Sequence, residues 1–388
     1  TDDAPVLLLL AFRADRQSVA WRTKQRAETD FPHRYVEVAL RPLEDRDCER
    51  LIDALLAGHP IQAGLRRSIL RKAEGNPLFV EQLVRSLADH PEAAVAEIPI
   101  PDTLVGLLAS RIDRLEDPVR RTLQAAAVIG RVFEHRVLSA IAEADGDLDR
   151  QLALLQRVDL VREERRVPGR VYAFRHGLLQ EVAYGSLLQR RRRELHARVG
   201  AVLEDLLGER PEEYAGLIGR HFAEAGDQRA MRYLRSAGER ALRLHALDDA
   251  IDHFDRALAL APKVSVETAD LVALYGGKGR ALELRADYDG ALATYAEMER
   301  AGRERADRRL ELAGLARSVS IYATPTTKQD LPRAKELLDA AIPAARELGD
   351  RELLARLLWN DLQTKNWAGD RDGAVRSGEE ALGIAREL

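Results

Sequence analysis

The sequence predicts a mainly α-helical protein of several domains, in which an α/β segment, a small helical domain and a helix–hairpin domain precede an array of helical repeats. Its 388 residues exceed one ordinary core, at roughly 100–200 residues per domain. Hydrophobic residues make up 46% and charged residues 32%, but aromatic residues only 5%, which is the balance of a helix-rich soluble protein. An alanine-centred pattern also recurs about every 40 residues in the C-terminal half, which is typical of stacked helix pairs.

An α/β segment is predicted for residues 1–42. The run Val6–Phe12 has no polar alternation, as expected of a parallel strand that is covered on both faces. Tyr35–Leu40 is the only other good strand candidate nearby, so most of the flanking sheet is missing. We therefore expect residues 1–42 to be the C-terminal part of an α/β core, and the chain to be a piece of a longer protein.

Three short helices, packed as a lid, are predicted for residues 43–100 because apolar residues recur there at helical spacing. The stripes run from Leu51 to Leu56, from Leu65 to Ala73 and from Phe79 to Leu87. Gly75 ends the second helix, and Pro77 occupies a first helical position that tolerates a missing N–H. Residues 91–101 contain three prolines and no periodicity, which indicates a linker.

A winged helix is predicted for residues 101–209. Asp102 or Thr103 can cap a helix over 104–115. Further helices are expected over 119–129, 132–142 and 149–158, followed by short strands at Leu160–Glu163 and Val171–Phe174. Three helices followed by a small hairpin are the composition of a winged helix.

About four tetratricopeptide-like helix pairs are predicted for residues 210–388. Ala250, Ala291, Ala334 and Ala374 follow one another at spacings of 41, 43 and 40 residues, somewhat longer than the about 34 of a standard tetratricopeptide repeat. A glycine stands twelve residues before each of the first two alanines, where two helices must approach closely. Such a solenoid presents an extended surface for a protein or peptide ligand.

Composition and motif spacing exclude several functions. The one cysteine, Cys48, cannot form an internal disulfide or a thiol-based zinc site, and it favours a reducing, cytoplasmic compartment. No histidine lies at metal-ligand spacing from another ligand, so no metal site is predicted. The net charge of -4 gives no general attraction to nucleic acid, and the longest apolar run is too short to cross a membrane.

Four segments resemble, in family order, the STAND branch of AAA+ ATPases, with NB-ARC-like nucleotide modules. They are Leu7–Arg13, Leu40–Glu44, Glu74–Glu81 (Glu-Gly-Asn-Pro-Leu-Phe-Val-Glu) and Phe174–Tyr184 (Phe-Arg-His-Gly-Leu-Leu-Gln-Glu-Val-Ala-Tyr). The likeness covers essentially the whole chain. It is strongest to the ATPase modules found behind class III nucleotide cyclase domains and in large LuxR-type regulators.

The resemblance implies a nucleotide-binding role for five residues. Arg13 matches the sensor 1 arginine, whose guanidinium stays charged and forks onto phosphate oxygens. Gly75-Asn76-Pro77 matches the GxP motif of the lid, in which the proline packs against adenine. His176 matches the histidine of the MHD-like motif, which reaches the β-phosphate of ADP. Gly177 stands where that motif has aspartate, which puts the strength of the contact in doubt.

The chain contains the residues that would respond to a nucleotide but not the loop that would hold it. No Walker A sequence occurs, and no apolar strand ends in the paired acids of Walker B. Gly276-Gly-Lys-Gly279 lies inside a repeat helix and fails the P-loop template. ATP or ADP with Mg²⁺ is therefore expected in the intact parent, whereas this chain is expected to hold no nucleotide tightly and to have no catalytic residue.

The resemblance implies an ATP/ADP-controlled signalling switch whose repeats bind a partner, within a larger and most plausibly cyclase-linked regulator that could self-associate on activation. Two alternatives remain open: a tetratricopeptide scaffold without nucleotide function, and a fragment of a LuxR-type transcriptional regulator. Arg190–Arg193, with His196 and Arg198, could bind DNA, but the arginines are expected on the solvent side of an amphipathic helix without aromatic partners. The output domain, the sensed ligand and the oligomeric state are not encoded in this sequence.

Overall fold

The computed structural model describes residues 7–12, 15–16, 18–56, 61–88, 103–142, 147–207 and 211–388. The chain divides into two compact units, residues 1–107 and 108–388. The described residues form nineteen α-helices and one three-stranded sheet, which confirms the mainly α fold class.

The two strands predicted near the N-terminus do not form. Residues 7–12 and 35–40 lie outside regular secondary structure, and their apolar side chains are exposed, with Leu9 at 90% and Val38 at 77%. An isolated strand leaves its backbone N–H and C=O groups unpaired, and the described part of this unit holds no other strand. Helix α1, Val19–Asp30, separates the two segments and begins where the Ser18 hydroxyl accepts a hydrogen bond from the Trp21 N–H.

The three short helices expected next are present. They are α2 (Asp45–Leu56), α3 (Ala63–Ala73) and α4 (Pro77–Ala88). Their apolar stripes form one buried cluster with the first turns of α5 (Leu104–Asp113), centred on Cys48, Ile52, Ile69, Val80 and Leu83. The predicted linker at 91–101 lies outside the described residues.

A small helix-and-strand domain follows in the second unit. Its elements are α6 (Asp117–Ile129), β1 (Val132–Glu134), α7 (His135–Ile141), α8 (Leu148–Arg157), β2 (Val161–Arg165) and β3 (Val171–Phe174). The strands are antiparallel in the order β1-β3-β2, with Phe133 opposite Tyr172.

The helix predicted over 132–142 is wrong in its first turn, because Val132–Glu134 is a strand. The Val-Phe pair favours the extended conformation, and β3 supplies the hydrogen-bonding partner. The Phe133 ring is fully buried and stacks on Tyr172 at 5.9 Å between centroids. Such a short strand is fixed by its cross-strand partner, which local periodicity does not reveal.

After β3, the described residues form helices and the turns between them. Helices α9 (Gly177–Gly185) and α10 (Gln189–Leu207) lead to α11 (Pro211–Ala225). The array continues with α12 (Ala230–Arg243), α13 (Leu247–Leu260), α14 (Thr268–Leu284), α15 (Tyr288–Glu304), α16 (Arg308–Ala323), α17 (Leu331–Leu348), α18 (Arg351–Trp367) and α19 (Arg371–Glu387). From α10 onward, each helix packs on the next one in sequence, as in a solenoid.

The alanine-centred pattern marks the second helix of each of the last four pairs. Ala250, Ala291 and Ala334 are fully buried, and Ala374 is 6% exposed. The preceding glycines admit an aromatic ring from the same pair: a Cβ at Gly238 would meet the Phe254 ring at 2.6 Å. The Gly276-Gly-Lys-Gly279 segment is likewise a packing site inside α14, since its three glycines lie against side chains from α16, α13 and α15.

No helix within the described ranges is both long and apolar enough to cross a membrane.

Candidate functional site

The Gly-Asn-Pro segment forms the turn between α3 and α4. Glu74 and Gly75 adopt left-handed conformations, with φ of 47° and 75°. The Gly75 carbonyl accepts a hydrogen bond from the Leu43 N–H at 2.8 Å. A Cβ at Gly75 would lie against the Leu43 backbone and 2.8 Å from Pro42 Cβ, so only glycine fits this position.

Asn76 and Pro77 start helix α4. The Asn76 Oδ1 accepts hydrogen bonds from the Leu78 N–H at 3.0 Å and the Phe79 N–H at 3.3 Å, as an N-cap residue does. Pro77 follows at the first helical position, and its ring is exposed. The segment therefore has a complete structural explanation as a turn, and it leaves one rigid apolar ring open to solvent.

His176 stands between strand β3 and helix α9. Its backbone is extended, with φ of -136° and ψ of 146°, and its carbonyl accepts the Leu179 N–H at 3.1 Å. The preceding Arg175 is held by Leu160, whose carbonyl accepts its N–H at 3.0 Å, and by an ion pair with Asp159 at 3.5 Å. The half-buried His176 side chain does not cap α9, so it does not occupy the N–H groups of the first turn.

Arg131 is a candidate site residue that the sequence alone did not indicate. Its carbonyl accepts the Phe174 N–H at 2.9 Å, because β1 and β3 pair, and its side chain reaches the start of α9. The Arg131 Cδ and Nε atoms lie 4.0 Å from the position that a Cβ of Gly177 would occupy. The sequence feature that could have revealed this strand, and with it Arg131, was the short Val-Phe run after Gly130. The prediction of a helix over 132–142 obscured it.

The start of α9 therefore combines three features that suit an anion. Backbone N–H groups of a helix N-terminus carry partial positive charge and bind phosphate or carboxylate groups. Arg131 is exposed and adds a full positive charge, and His176 adds an imidazole. Gly177, where the family has aspartate, brings no negative charge to this point.

Several arginines of the basic stretch at the start of α10 make contacts within the protein. Arg190 and Arg191 pair with Glu194 at 3.0 and 3.3 Å. The Arg192 guanidinium lies over the Tyr184 ring at 4.7 Å and donates to the Gly185 carbonyl.

His196, the histidine of this stretch, is buried, with 5% of its surface exposed. Its ring faces α9 and α11, because α10 packs against helices on more than one side.

Comparisons with known proteins find similarity to a family model and to a curated protein, each over part of this chain. Residues 44–97 match the model of a "Domain of unknown function (DUF8739)". "Uncharacterized protein R02095" of Rhizobium meliloti (strain 1021) is 28% identical over 253 residues, which cover 61% of this chain and 24% of that protein. The chain thus spans about a quarter of the length of this curated relative.

A search of solved structures finds the "Signal Transduction ATPase with Numerous Domains (STAND) protein with a tetratricopeptide repeat sensor PH0952" from Pyrococcus horikoshii. The match has a TM-score of 0.34 and 13% sequence identity, and it covers 91% of this chain and 55% of that one. A likeness at this level defines neither a shared function nor a shared site.

The predicted site residues belong to two units that are described separately. Gly75, Asn76 and Pro77 lie in residues 1–107, and His176 lies with Arg131 in residues 108–388. Arg13 lies outside the described residues. Within the described ranges no group of three or more His, Cys, Asp or Glu side chains is arranged to hold a metal ion.

Proposed function

We propose that this chain is the responsive part of an ATP/ADP-controlled signalling switch and that its helical array binds a protein or peptide. The observation that carries the proposal is the start of α9, where the exposed Arg131 side chain lies beside Gly177 and the half-buried His176 precedes a first turn that its side chain does not cap. This arrangement suits the phosphates of a nucleotide. In the other unit, the exposed Pro77 ring is a rigid apolar surface of the kind that can pack on a base. Mg²⁺ and the phosphate-binding loop would come from the rest of the parent protein.

The domain of residues 101–209 is proposed to be a winged helix. From α6 to β3 its elements run helix, strand, two helices and two strands, and β3 lies between β1 and β2. That order supports the assignment. The output of the switch, whether a cyclase domain or a transcriptional regulator, is a matter for the rest of the protein, and the cyclase link remains our preferred proposal.

The test is nucleotide affinity of the natural gene product, measured by calorimetry with ADP and with ATP. If His176 donates to the β-phosphate, His176→Ala removes a hydrogen bond to a charged acceptor, worth roughly 1.5–3 kcal/mol. We expect ADP affinity to fall about ten- to more than hundred-fold and ATP affinity to fall less. Arg131→Gln should act in the same direction and lose its effect at high salt.

His33→Ala is the matched control, because His33 is exposed and lies in the first unit, whereas His176 and Arg131 lie in the second. Equal losses for ADP and ATP would indicate general damage to the protein. Unchanged ADP affinity in both His176→Ala and Arg131→Gln would remove nucleotide control and leave the scaffold function.

The scaffold alternative is favoured by one observation: capping and close packing fully explain the Gly-Asn-Pro turn without a nucleotide. It predicts that the natural gene product binds its protein partner equally well with ADP, with ATP and with neither. DNA binding is disfavoured by the pairing of Arg190 and Arg191 with Glu194, and it would appear as salt-dependent affinity for duplex DNA.

A further inference from the structure

A chain of hydrogen bonds between three polar side chains connects helices α9, α10 and α11. The Tyr184 hydroxyl lies 3.0 Å from His196 Nε2, and His196 Nδ1 lies 2.9 Å from His221 Nδ1. His196 is 5% exposed, His221 is fully buried and Tyr184 is half-buried. Loss of either contact therefore leaves a polar atom of a buried histidine unsatisfied.

These hydrogen bonds lie where the small helix-and-strand domain meets the helical array. Tyr184 belongs to α9, the helix that His176 precedes. Helix α10 packs against α6 and α7 on the small-domain side and against α11 on the other. Helix α11 in turn packs on α12, where Gly219 lies against Leu234. These contacts place His221 at the first helix of the array.

Hydrogen bonding ties the tautomers of the two histidines to the tyrosine. Burial lowers the pKa of His196 to about 4 and that of His221 to about 3, and the nearby charges of Arg192 and Arg220 act in the same direction. Each neutral imidazole carries one N–H, so only one of the two facing Nδ1 atoms is protonated.

Because His221 Nε2 has no partner among the described residues, the favourable arrangement leaves it unprotonated. His221 Nδ1–H then donates to His196 Nδ1, and His196 Nε2–H donates to the Tyr184 oxygen. The opposite direction would bury an N–H at His221 Nε2 with no acceptor.

We propose that the Tyr184–His196–His221 chain couples helix α9 to the helical array. If α9 moves so that the Tyr184 oxygen is withdrawn, a buried N–H of His196 is left without an acceptor. Helices α9, α10 and α11 are therefore held to move together. This role rests on the proposed function only in that a ligand at the start of α9 is what displaces it. Arg192 encloses the tyrosine from outside, through its contact with the ring and its bond to Gly185.

Tyr184→Phe tests the coupling, because it keeps the ring and removes only the hydroxyl. In the chain labelled with ¹⁵N-histidine, we expect the imidazole nitrogen signals of His221 to shift in Tyr184→Phe, although His221 does not bond to Tyr184. Tyr214→Phe, a half-buried tyrosine on α11 itself, should leave them unchanged. Unchanged His221 signals in folded Tyr184→Phe would overturn the proposal.

Hydrogen exchange in the natural gene product separates this proposal from the proposed function. With ADP, the wild type and Tyr214→Phe should show slower exchange in both α9 and α11, whereas Tyr184→Phe should show it in α9 alone. If exchange in α11 slowed with ADP in Tyr184→Phe as much as in the wild type, the coupling would be disproved and the proposed nucleotide switch would be unaffected. No response of α9 to ADP in the wild type would sink the nucleotide switch, and the histidine signals alone would then decide the coupling.

Discussion

Phe254 and Tyr295 occupy equivalent places in consecutive helix pairs, each against a glycine sixteen residues earlier. Gly238 and Gly279 allow this approach because a Cβ at either position would overlap the aromatic ring. Both rings are fully buried, and the Tyr295 hydroxyl donates to Glu283 at 2.7 Å. Close contact between helices therefore requires glycine at these positions, although helix propensity favours alanine.

Gly279→Ala should therefore destabilise the protein although alanine is the better helix former. The gain in propensity of about 1 kcal/mol is outweighed by overpacking against Tyr295, which typically costs about 1–3 kcal/mol. We expect a net loss of up to about 2 kcal/mol in chemical denaturation. Gly383→Ala is the matched control, because Gly383 is exposed in α19 with no atom near its Cβ position, and it should stabilise. Stabilisation by both substitutions would contradict the close contact.

At the scale of the element, one turn recurs between helices of the array. A left-handed residue ends one helix, and an aspartate N-cap starts the next, as at Ala286-Asp287, Ala306-Asp307 and Gly349-Asp350. Each of these aspartates accepts a backbone N–H three residues later. The glycine of the third turn is the residue preferred there, whereas alanine in the first two carries strain.

Replacing Ala286 and Ala306 together by glycine should stabilise the array. A left-handed conformation costs a non-glycine residue roughly 1–2 kcal/mol, which exceeds the entropy that glycine loses on folding, so we expect a gain of about 0.5–1 kcal/mol per site. The same substitution at Ala296, exposed in the interior of α15, should cost about 1 kcal/mol. Thermal unfolding of the wild type, the double variant and Ala296→Gly shows whether each substitution stabilises or destabilises the protein. A loss of stability in the double variant would show that these turns are not strained.

At the scale of the whole molecule, the stability of the second unit should depend on mild acid through His196 and His221. Their folded-state pKa values of about 4 and about 3 lie below the ordinary value of 6.5. Between those limits the unfolded chain binds protons that the folded chain does not. The free energy of unfolding therefore falls as the pH decreases below about 6.5, by about 2 kcal/mol per histidine at pH 5.

Urea denaturation at pH 7, 6 and 5 measures the slope of the free energy of unfolding against pH. Replacing both histidines by asparagine should flatten it, while His33→Ala should leave it unchanged. An equal slope in the double variant would assign the acid sensitivity to other groups. Glu299, whose pKa is raised by burial, acts in the opposite direction and stabilises the folded state as the pH falls.

The sequence by itself determined the helical parts of this protein, because their signals are local. Apolar periodicity placed α2 to α4, and the alanine spacing placed the repeat helices whose alanines are now seen to be buried. The sequence also correctly predicted that the Gly-Asn-Pro segment forms a helix cap followed by a first-turn proline, since both features depend on residues only a few positions apart. Whether these residues, Arg13 and His176 bind a nucleotide remains a prediction.

Only the tertiary structure decided features that depend on a partner far along the chain. The apolar runs at 7–12 and 35–40 form no strand because a strand needs a neighbour, whereas Val132–Glu134 forms one because β3 lies beside it. The same pairing carries Arg131 to Gly177, 46 positions away in sequence. His196 and His221 came together only when α10 packed on α11, since neither spacing nor periodicity records which faces of two helices meet.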